Sequence, residues 1–297
     1  MSAPSDGLVP VLVAGGGRNG TTLIMQLLGS SPRIAFDRGY PYEHRYLTYL
    51  LRLCQVTRRR EEPTEQWNAV VLTNERTSAV GAIPWKQAML LGADGDLAEP
   101  FWLRLFRSAW SEFSAGAIAS MQARFGADVE VTHYAEKAPD WVVAEASEIL
   151  PAKRLYPVRD PRDQFLSILA FNEKRGWPGF GQLPEDTPET FARRFAAAQR
   201  RRLSRLAAVE EGPDDLLVRY ERMIGDPVAE AERIGAVVGV PLDGRRVVAS
   251  RKQFAHHMTS ASAQASVARW KLEMAPEILQ VFLDAAGEQM AAFGYEV

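Results

Sequence analysis

Cysteine is almost missing from this chain: Cys54 stands alone among 297 residues. That excludes a disulfide framework and a thiolate zinc site. Histidine is scarce as well, four in all. They form no two-histidine helix motif, so no metal is expected. No apolar run approaches the length of a membrane span, and residues 1–7 are short and polar. Neither sign of charge prevails: Lys+Arg 35 against Asp+Glu 37 leaves a net −2. That balance argues against bulk nucleic-acid binding and leaves room only for a local basic pocket. Internal repeats and low-complexity segments are lacking too. Together these absences lead us to expect a cytoplasmic protein with neither a nucleic-acid partner nor a membrane span. What remains is an apolar share of 46%, ordinary for a chain with a real core, in a length that suits one large α/β domain or two small ones.

The most informative stretch is residues 8–29, LVPVLVAGGGRNGTTLIMQLLG. The valine-rich run 8–14 reads as a buried parallel strand. Gly15, Gly16 and Gly17 turn the chain. Leu23, Ile24, Leu27 and Leu28 then recur at helical spacing, and Gly29 is a natural stop. Strand, glycine-rich turn and helix present bare N–H groups to an anion, and the helix N-terminus adds partial positive charge. Three ligand classes fit the loop. Gly15-x-Gly17-x-x-Gly20 matches a dinucleotide fingerprint, with Asp37 as the ribose-binding acid. Gly15-x-x-x-x-Gly20 followed by Thr21 and Thr22 has the outline of a P-loop, but threonine replaces the lysine. Arg18, Asn19, Gly20, Thr21 and Thr22 also place a cation, a turn and two hydroxyls around one phosphate-like group.

Further along, 33–36 reads as a second strand, and Pro41 suits the first turn of a helix running to about 53. Glu43 would then begin that helix, either complementing its dipole or serving as a general base. Arg58, Arg59, Arg60, Glu61 and Glu62 read as a solvated cluster. Trp67, Trp85, Phe101, Trp102, Phe106, Trp110 and Phe113 follow. The spacing 102, 106, 110, 113 suits a helical core stripe, the alternative being an apolar acceptor pocket. Strands are expected over 129–134, 153–158 and 215–219, and helices over 139–149, 188–209, 227–238 and 276–293. Arg159 falls at a strand end, where open α/β sheets bind ligands. Asp160 is a good N-cap, Pro161 a good first helical residue, and Ser167 faces the same side of that helix. An arginine and a helix-borne serine make a second phosphate site, unless the arginine is structural. The loop 176–181, with Trp177 and Phe180, is a candidate lid or a plain connection. Arg200, Arg201 and Arg202 read as a solvated helix face.

Four segments together resemble the sulfotransferases. RNGTT is similar to their 5′-phosphosulfate loop, usually written Arg-Ser-Gly-Thr-Thr or Lys-Ser-Gly-Thr-Thr, with Asn19 in place of the serine. VRDPRDQFLS resembles the 3′-phosphate site, with Arg159 followed eight residues later by Ser167. VRYERMIGDP resembles a Tyr-Glu segment after a core strand, which brings in Tyr220. SVARWK, with Ser266, Arg269, Trp270 and Lys271, resembles the C-terminal loop that closes over the 3′-phosphate. The resemblance covers most of the chain. It implies an enzyme of the bacterial, tyrosylprotein-like branch that uses 3′-phosphoadenosine 5′-phosphosulfate (PAPS) and releases PAP. The implied fold is α/β: one domain with a P-loop-like central parallel sheet, helices on both faces, and a helical acceptor-side insertion at about 55–130. Gly17, Arg18, Asn19, Gly20, Thr21 and Thr22 would hold the 5′ end, while Arg18 and Lys137 would act on the bridging oxygen and leaving phosphate. PYEHRYL is similar to the Pro-x-Glu segment of a mycobacterial trehalose sulfotransferase. That similarity assigns the base to Glu43, with His44 second and Glu136 third. The acceptor would be a small, partly apolar hydroxyl compound, and a homodimer is compatible with this reading. Two other classes stay open: an NAD(P)-dependent oxidoreductase with Asp37 on a ribose, and a phosphate-binding module without catalysis.

Overall fold

The computed structural model describes residues 7–58, 98–249 and 258–297. Trp67, Trp85 and the charges at 59–62 lie outside the described residues. Among the described residues five strands form one sheet: β1 (Val9–Ala14), β2 (Ile34–Ala35), β3 (His133–Ala138), β4 (Lys153–Val158) and β5 (Asp215–Arg219). Their order is β2-β3-β1-β4-β5, and every pairing is parallel. The helices used below are α1 (Thr21–Leu28), α2 (Tyr46–Arg58), α3 (Ala98–Phe125), α4 (Asp140–Ile149), α5 (Pro161–Arg175), α6 (Pro188–Ala207), α7 (Tyr220–Gly225), α8 (Pro227–Val238), α9 (Gly244–Ala249), α10 (Trp270–Glu273) and α11 (Pro276–Ala292). Among the described residues no helix is long and apolar enough to cross a membrane.

A parallel sheet must be covered on both faces, so β1 carries apolar side chains in both directions. Leu12 and Ala14 pack with Tyr134, α2, α3 and α4. Val11 and Val13 pack with Ile24, Leu27 and Leu28 of α1 and Ile234 of α8. A third cluster joins α5, α6 and α11 through Phe165, Phe191, Phe195 and Phe282. The aromatic stripe of α3 belongs to the first cluster. Trp102, Phe106 and Trp110 are buried there, Phe113 packs against them, and Trp110 donates its indole N–H to the Leu8 carbonyl at 3.2 Å. These rings are core, each contributing about 1.5–3 kcal/mol by leaving water.

Three expectations are corrected. The strand expected over 129–134 runs instead from His133 to Ala138, in register with β1 from Val9↔His133 to Ala14↔Ala138. Glu136 and Lys137 are therefore on a central strand. Such residues are poor strand formers, but here each has partners on its own face of the sheet. The helix expected from Pro41 begins at Tyr46. Glu136 supplies its cap, accepting from Leu47 N–H at 3.0 Å, Thr48 N–H at 3.1 Å and Tyr134 Oη at 2.8 Å. Glu43 thus lies in a loop rather than in a first turn. Arg200 and Arg201 are exposed, but Arg202 turns inward. It donates to the carbonyls of Pro157 at 2.9 Å and Ala14 at 3.3 Å, toward the C-terminal ends of two central strands, where such groups need donors.

The strand order also bears on Asp37. In the dinucleotide fold β2 lies next to β1, whereas here β3 separates them. Asp37 accepts from Gly39 N–H at 2.8 Å and pairs with His44. It does not line the cavity described next.

Candidate active site

Strand ends and helix starts meet at one cavity above the C-terminal edge of the sheet. It is lined on one side by Gly17, Arg18, Gly20, Thr21 and Thr22, on another by Glu43 and Lys137, and on a third by Arg159, Ser167, Tyr220 and Ser266. The loop between β1 and α1 is shaped by close approach. Gly20 has φ 102°, and a Cβ there would come within 2.9 Å of the Tyr220 ring. A Cβ on Gly17 would collide with the ring of Phe180. Asn19 is buried and braces the loop, its amide oriented to pair with both the N–H and the C=O of Gly16. No side chain caps α1, so its first-turn N–H groups suit an anion.

Lys137 sits beside this helix start with 6% of its surface exposed. It donates to Thr22 Oγ1 at 3.0 Å, to the Pro41 carbonyl at 2.7 Å and to Glu43 Oε1 at 2.7 Å. Burial pulls its pKa below the ordinary lysine value, and Glu43 offsets only part of that. For Glu43, partial burial works upward, but Lys137 and Arg45 outweigh it and hold the carboxyl below its usual range. Glu136, one residue away on the strand, faces the opposite side of the sheet and is consumed in capping α2.

A second cationic group lies across the loop. Arg18 donates from Nε to Ser167 Oγ at 3.1 Å. Burial, then the neighbouring Arg159, pulls its pKa down to about 10. Arg159 is buried beneath the cavity, donates to the carbonyls of Arg18 at 2.8 Å and Ser266 at 2.9 Å, and stacks on Tyr220 with its Cζ 4.2 Å from the ring centroid. Its Nε is buried with no hydrogen-bond partner among the described residues. Positive charge gathered this way, with a donor left over, suits a bound phosphate. Tyr220 Oη and Ser266 Oγ lie 2.7 Å apart. The cavity wall continues through the apolar Leu23, Met223, Ile224, Pro227 and Met258.

Five of the expected residues lie outside the cavity lining. Asn19 braces the loop, as above. His44 has 67% of its side chain exposed and pairs with Asp37. Arg269 is buried against Glu273 and donates to the Thr259 carbonyl at 3.2 Å. Trp270 stacks on Arg162, 3.6 Å from the guanidinium Cζ, and Lys271 pairs with Glu296. Residues 268–271 thus clasp the C-terminal segment to α5. Asp163 completes the clasp, accepting from Ala268 N–H at 2.6 Å and Trp270 N–H at 3.0 Å.

Burial pushes the Asp163 carboxyl up to about 6, against those two bonds. Its native pKa therefore lies above the unfolded value of about 3.9, and folding favours the protonated form. This group's contribution is most favourable below about pH 4 and is lost as pH rises through about 6, by roughly 3 kcal/mol at most. Asp163→Asn should flatten that portion of the stability curve in denaturant titrations. An unchanged slope would show that the carboxyl does not titrate there.

Sequence reasoning missed two residues. Thr259 Oγ1 lies 3.1 Å from Ser167 Oγ, and Gln164 donates to the Gly17 carbonyl at 2.7 Å. Phe180, from the loop expected as a lid or a plain connection, has its ring against Gly17. Gln164 carried a signal, one turn before Ser167 on α5. Thr259 carried none, because only the fold brings it there.

A family model described as "Sulfotransferase family" matches residues 10–244. Among solved structures, the chain is similar to the sulfotransferase domain from the curacin biosynthetic pathway, with 15% identity, a TM-score of 0.50, and 98% of this chain and 99% of that one covered. It also matches the sulfotransferase domain of the Synechococcus PCC 7002 olefin synthase (15% identity, TM-score 0.46, coverage 100% and 98%). A sulfotransferase from Mycobacterium avium matches at 18% identity and a TM-score of 0.44, over 99% of this chain and 79% of that one. At such identities the likeness bears on the fold, and the first match shares it over its whole length. No curated protein matches the chain.

Proposed function

The chain belongs to the sulfotransferase family, and on that premise we propose that it moves a sulfuryl group from PAPS to a hydroxyl of a small, partly apolar acceptor. The observation that carries this reading is a pair of cationic groups facing one cavity. Lys137 and the start of α1 form one; Arg159 and Ser167 form the other, with Arg18 between them, bonded to Ser167 and close enough to Lys137 to act on its charge. PAPS carries anionic groups at the 3′ and 5′ positions of its ribose, so it calls for two anion sites. The buried, unpartnered Nε of Arg159 is the donor expected at a 3′-phosphate. Tyr220 and the apolar wall through Met223, Ile224 and Met258 suit the nucleoside between them. NAD has no use for the second site, and although NADP carries a further phosphate, the sheet lacks the dinucleotide order, with β3 between β1 and β2 and Asp37 away from the cavity.

In this reading the transferred group is close to neutral SO₃ between two oxygens, so positioning and charge stabilisation dominate. The acceptor oxygen forms the new bond to sulfur. The bond from sulfur to the bridging oxygen breaks, and its electron pair leaves on the phosphate. In this reading Lys137 and Arg18 stabilise that charge. Glu43 takes the hydroxyl proton, and it gains a free oxygen when Lys137 turns from it toward the leaving phosphate. A cytoplasmic, metal-free enzyme is part of the same proposal.

PAP should raise the melting temperature with no divalent metal present. At a ligand concentration of about a hundred times Kd the stabilisation should be roughly 2.7 kcal/mol. NAD and ATP, which lack a 3′-phosphate, should do much less, and equal shifts from NAD and PAP would end this reading. Transfer from labelled PAPS to a panel of hydroxyl compounds separates the enzyme from a binding module. A chain that binds PAP yet labels nothing would be the module.

A further inference from the structure

The segment after α5 places an aromatic ring where the proposed reaction has most to lose from water. Residues 176–182 are tied down from both sides. The buried Asn172 donates to the Gly179 carbonyl at 3.0 Å and to Gln182 Oε1 at 2.6 Å, and Arg194 donates to the Gly181 carbonyl at 2.9 Å. Arg175 stands over Trp177 and Phe180, with its Cζ 5.2 and 5.0 Å from the ring centroids, and donates to the Trp177 carbonyl at 2.9 Å. The loop is therefore braced, and Phe180 is the residue of 176–182 that lines the cavity. Its ring rests on Gly17 and packs on Phe171 with centroids 5.8 Å apart. Phe171 in turn lies under the Arg18 guanidinium at 4.7 Å. The side of the cavity next to Arg18 is thus walled by the Phe180 ring, with Phe171 packed behind it. Phe180 is 40% exposed, so it stands at the boundary between the cavity and solvent.

Resting on the sulfotransferase reading, we propose that Phe180 is the residue that keeps water from the sulfuryl group, so that an acceptor hydroxyl is selected over water. Water is smaller than any acceptor and is not rejected by pocket shape, which leaves exclusion as the available device. In the side reaction a water oxygen bonds to sulfur and the bond to the bridging oxygen breaks with its electron pair on the phosphate. Glu43 takes the proton, and the products are PAP and sulfate. The reacting groups are the same as for sulfation, so the ring over Gly17 affects mainly which hydroxyl arrives.

The test needs no knowledge of the acceptor. Sulfate release from PAPS is measured without acceptor, alongside PAP affinity by calorimetry, for the wild type, Phe180→Ala, Phe180→Leu and Trp177→Ala. Phe180→Ala should release sulfate about 10-fold faster than the wild type while keeping its PAP affinity. Phe180→Leu keeps an apolar cover and should stay near the wild-type rate. Trp177 shares the loop but does not line the cavity, and its loss should change neither measurement. Release from Phe180→Ala no faster than wild type overturns the proposal, as does a parallel loss of PAP affinity, which would make Phe180 only a wall of the nucleotide site. If the wild type binds no PAP, the sulfotransferase reading falls and takes this proposal with it. Normal PAP binding with unchanged release removes this proposal alone.

Discussion

Glu43→Gln should fold normally, bind PAP normally and lose turnover by about 10²–10⁴-fold, the usual contribution of a general base. Folding should survive because the glutamine amide oxygen still accepts from the buried Lys137, and the Glu43 side chain is 44% exposed and open to water. PAP binding should survive because the residue that faces the leaving phosphate is the lysine. The pH profile gives a second readout. Lys137 and Arg45 hold the Glu43 carboxyl below its usual range despite partial burial, so the base is ionised throughout the neutral region. Wild-type kcat/KM should stay flat as pH falls, and drop only below the ordinary glutamate value of about 4.3, where the carboxylate takes up a proton. The glutamine variant should lack that limb. His44 is the rival, but it points to solvent and pairs with Asp37, so His44→Asn should keep most of the activity. Near-full turnover in Glu43→Gln together with its loss in His44→Asn would move the base to the histidine.

Much of this site was legible because its parts sit where local rules put them. The β1–loop–α1 unit, the strand end at Arg159, the Asp160 cap and Ser167 on the following helix all follow from short-range patterns. Those patterns also fix the parallel α/β class. The errors arose where a long-range partner decides. Nothing near Glu136 announces that it caps α2, whose Leu47 lies 89 residues earlier. Without that cap in view, Pro41 reads as the helix start and the strand reads as 129–134 rather than 133–138. Arg202 misled for the same reason: a helix rich in arginine reads as solvated all round until the carbonyls of Ala14 and Pro157 are found beneath it. The SVARWK segment resembles a loop that closes over a 3′-phosphate, but its side chains divide in a way no motif encodes, with Ser266 lining the cavity and Arg269, Trp270 and Lys271 on protein partners.

Lys137→Met should lower kcat by about 10²–10³-fold, as removal of one preorganised donor to a developing negative charge does. Methionine keeps most of the length and packs as readily, so the loss falls on the charge. In the free protein the ammonium satisfies three acceptors, Thr22 Oγ1, the Pro41 carbonyl and Glu43, and three is its full donor capacity. Meeting a leaving phosphate therefore requires it to give up one, and Glu43 is the partner that gains by release, since it must then accept a proton. For this reason Lys137→Arg should not rescue: a planar fork cannot address three acceptors in different directions from one point. PAP affinity should fall far less than kcat, because Arg18, Arg159 and the α1 N-terminus still face the nucleotide. At the alkaline end the wild-type rate should decline as pH rises through the lysine's lowered pKa, earlier than the ordinary value of about 10.4. Burial sets that direction, and the methionine variant should show no such limb. A variant that binds PAP about a hundredfold more weakly yet turns over at the wild-type rate would make Lys137 a nucleotide-binding group and leave the leaving oxygen to Arg18.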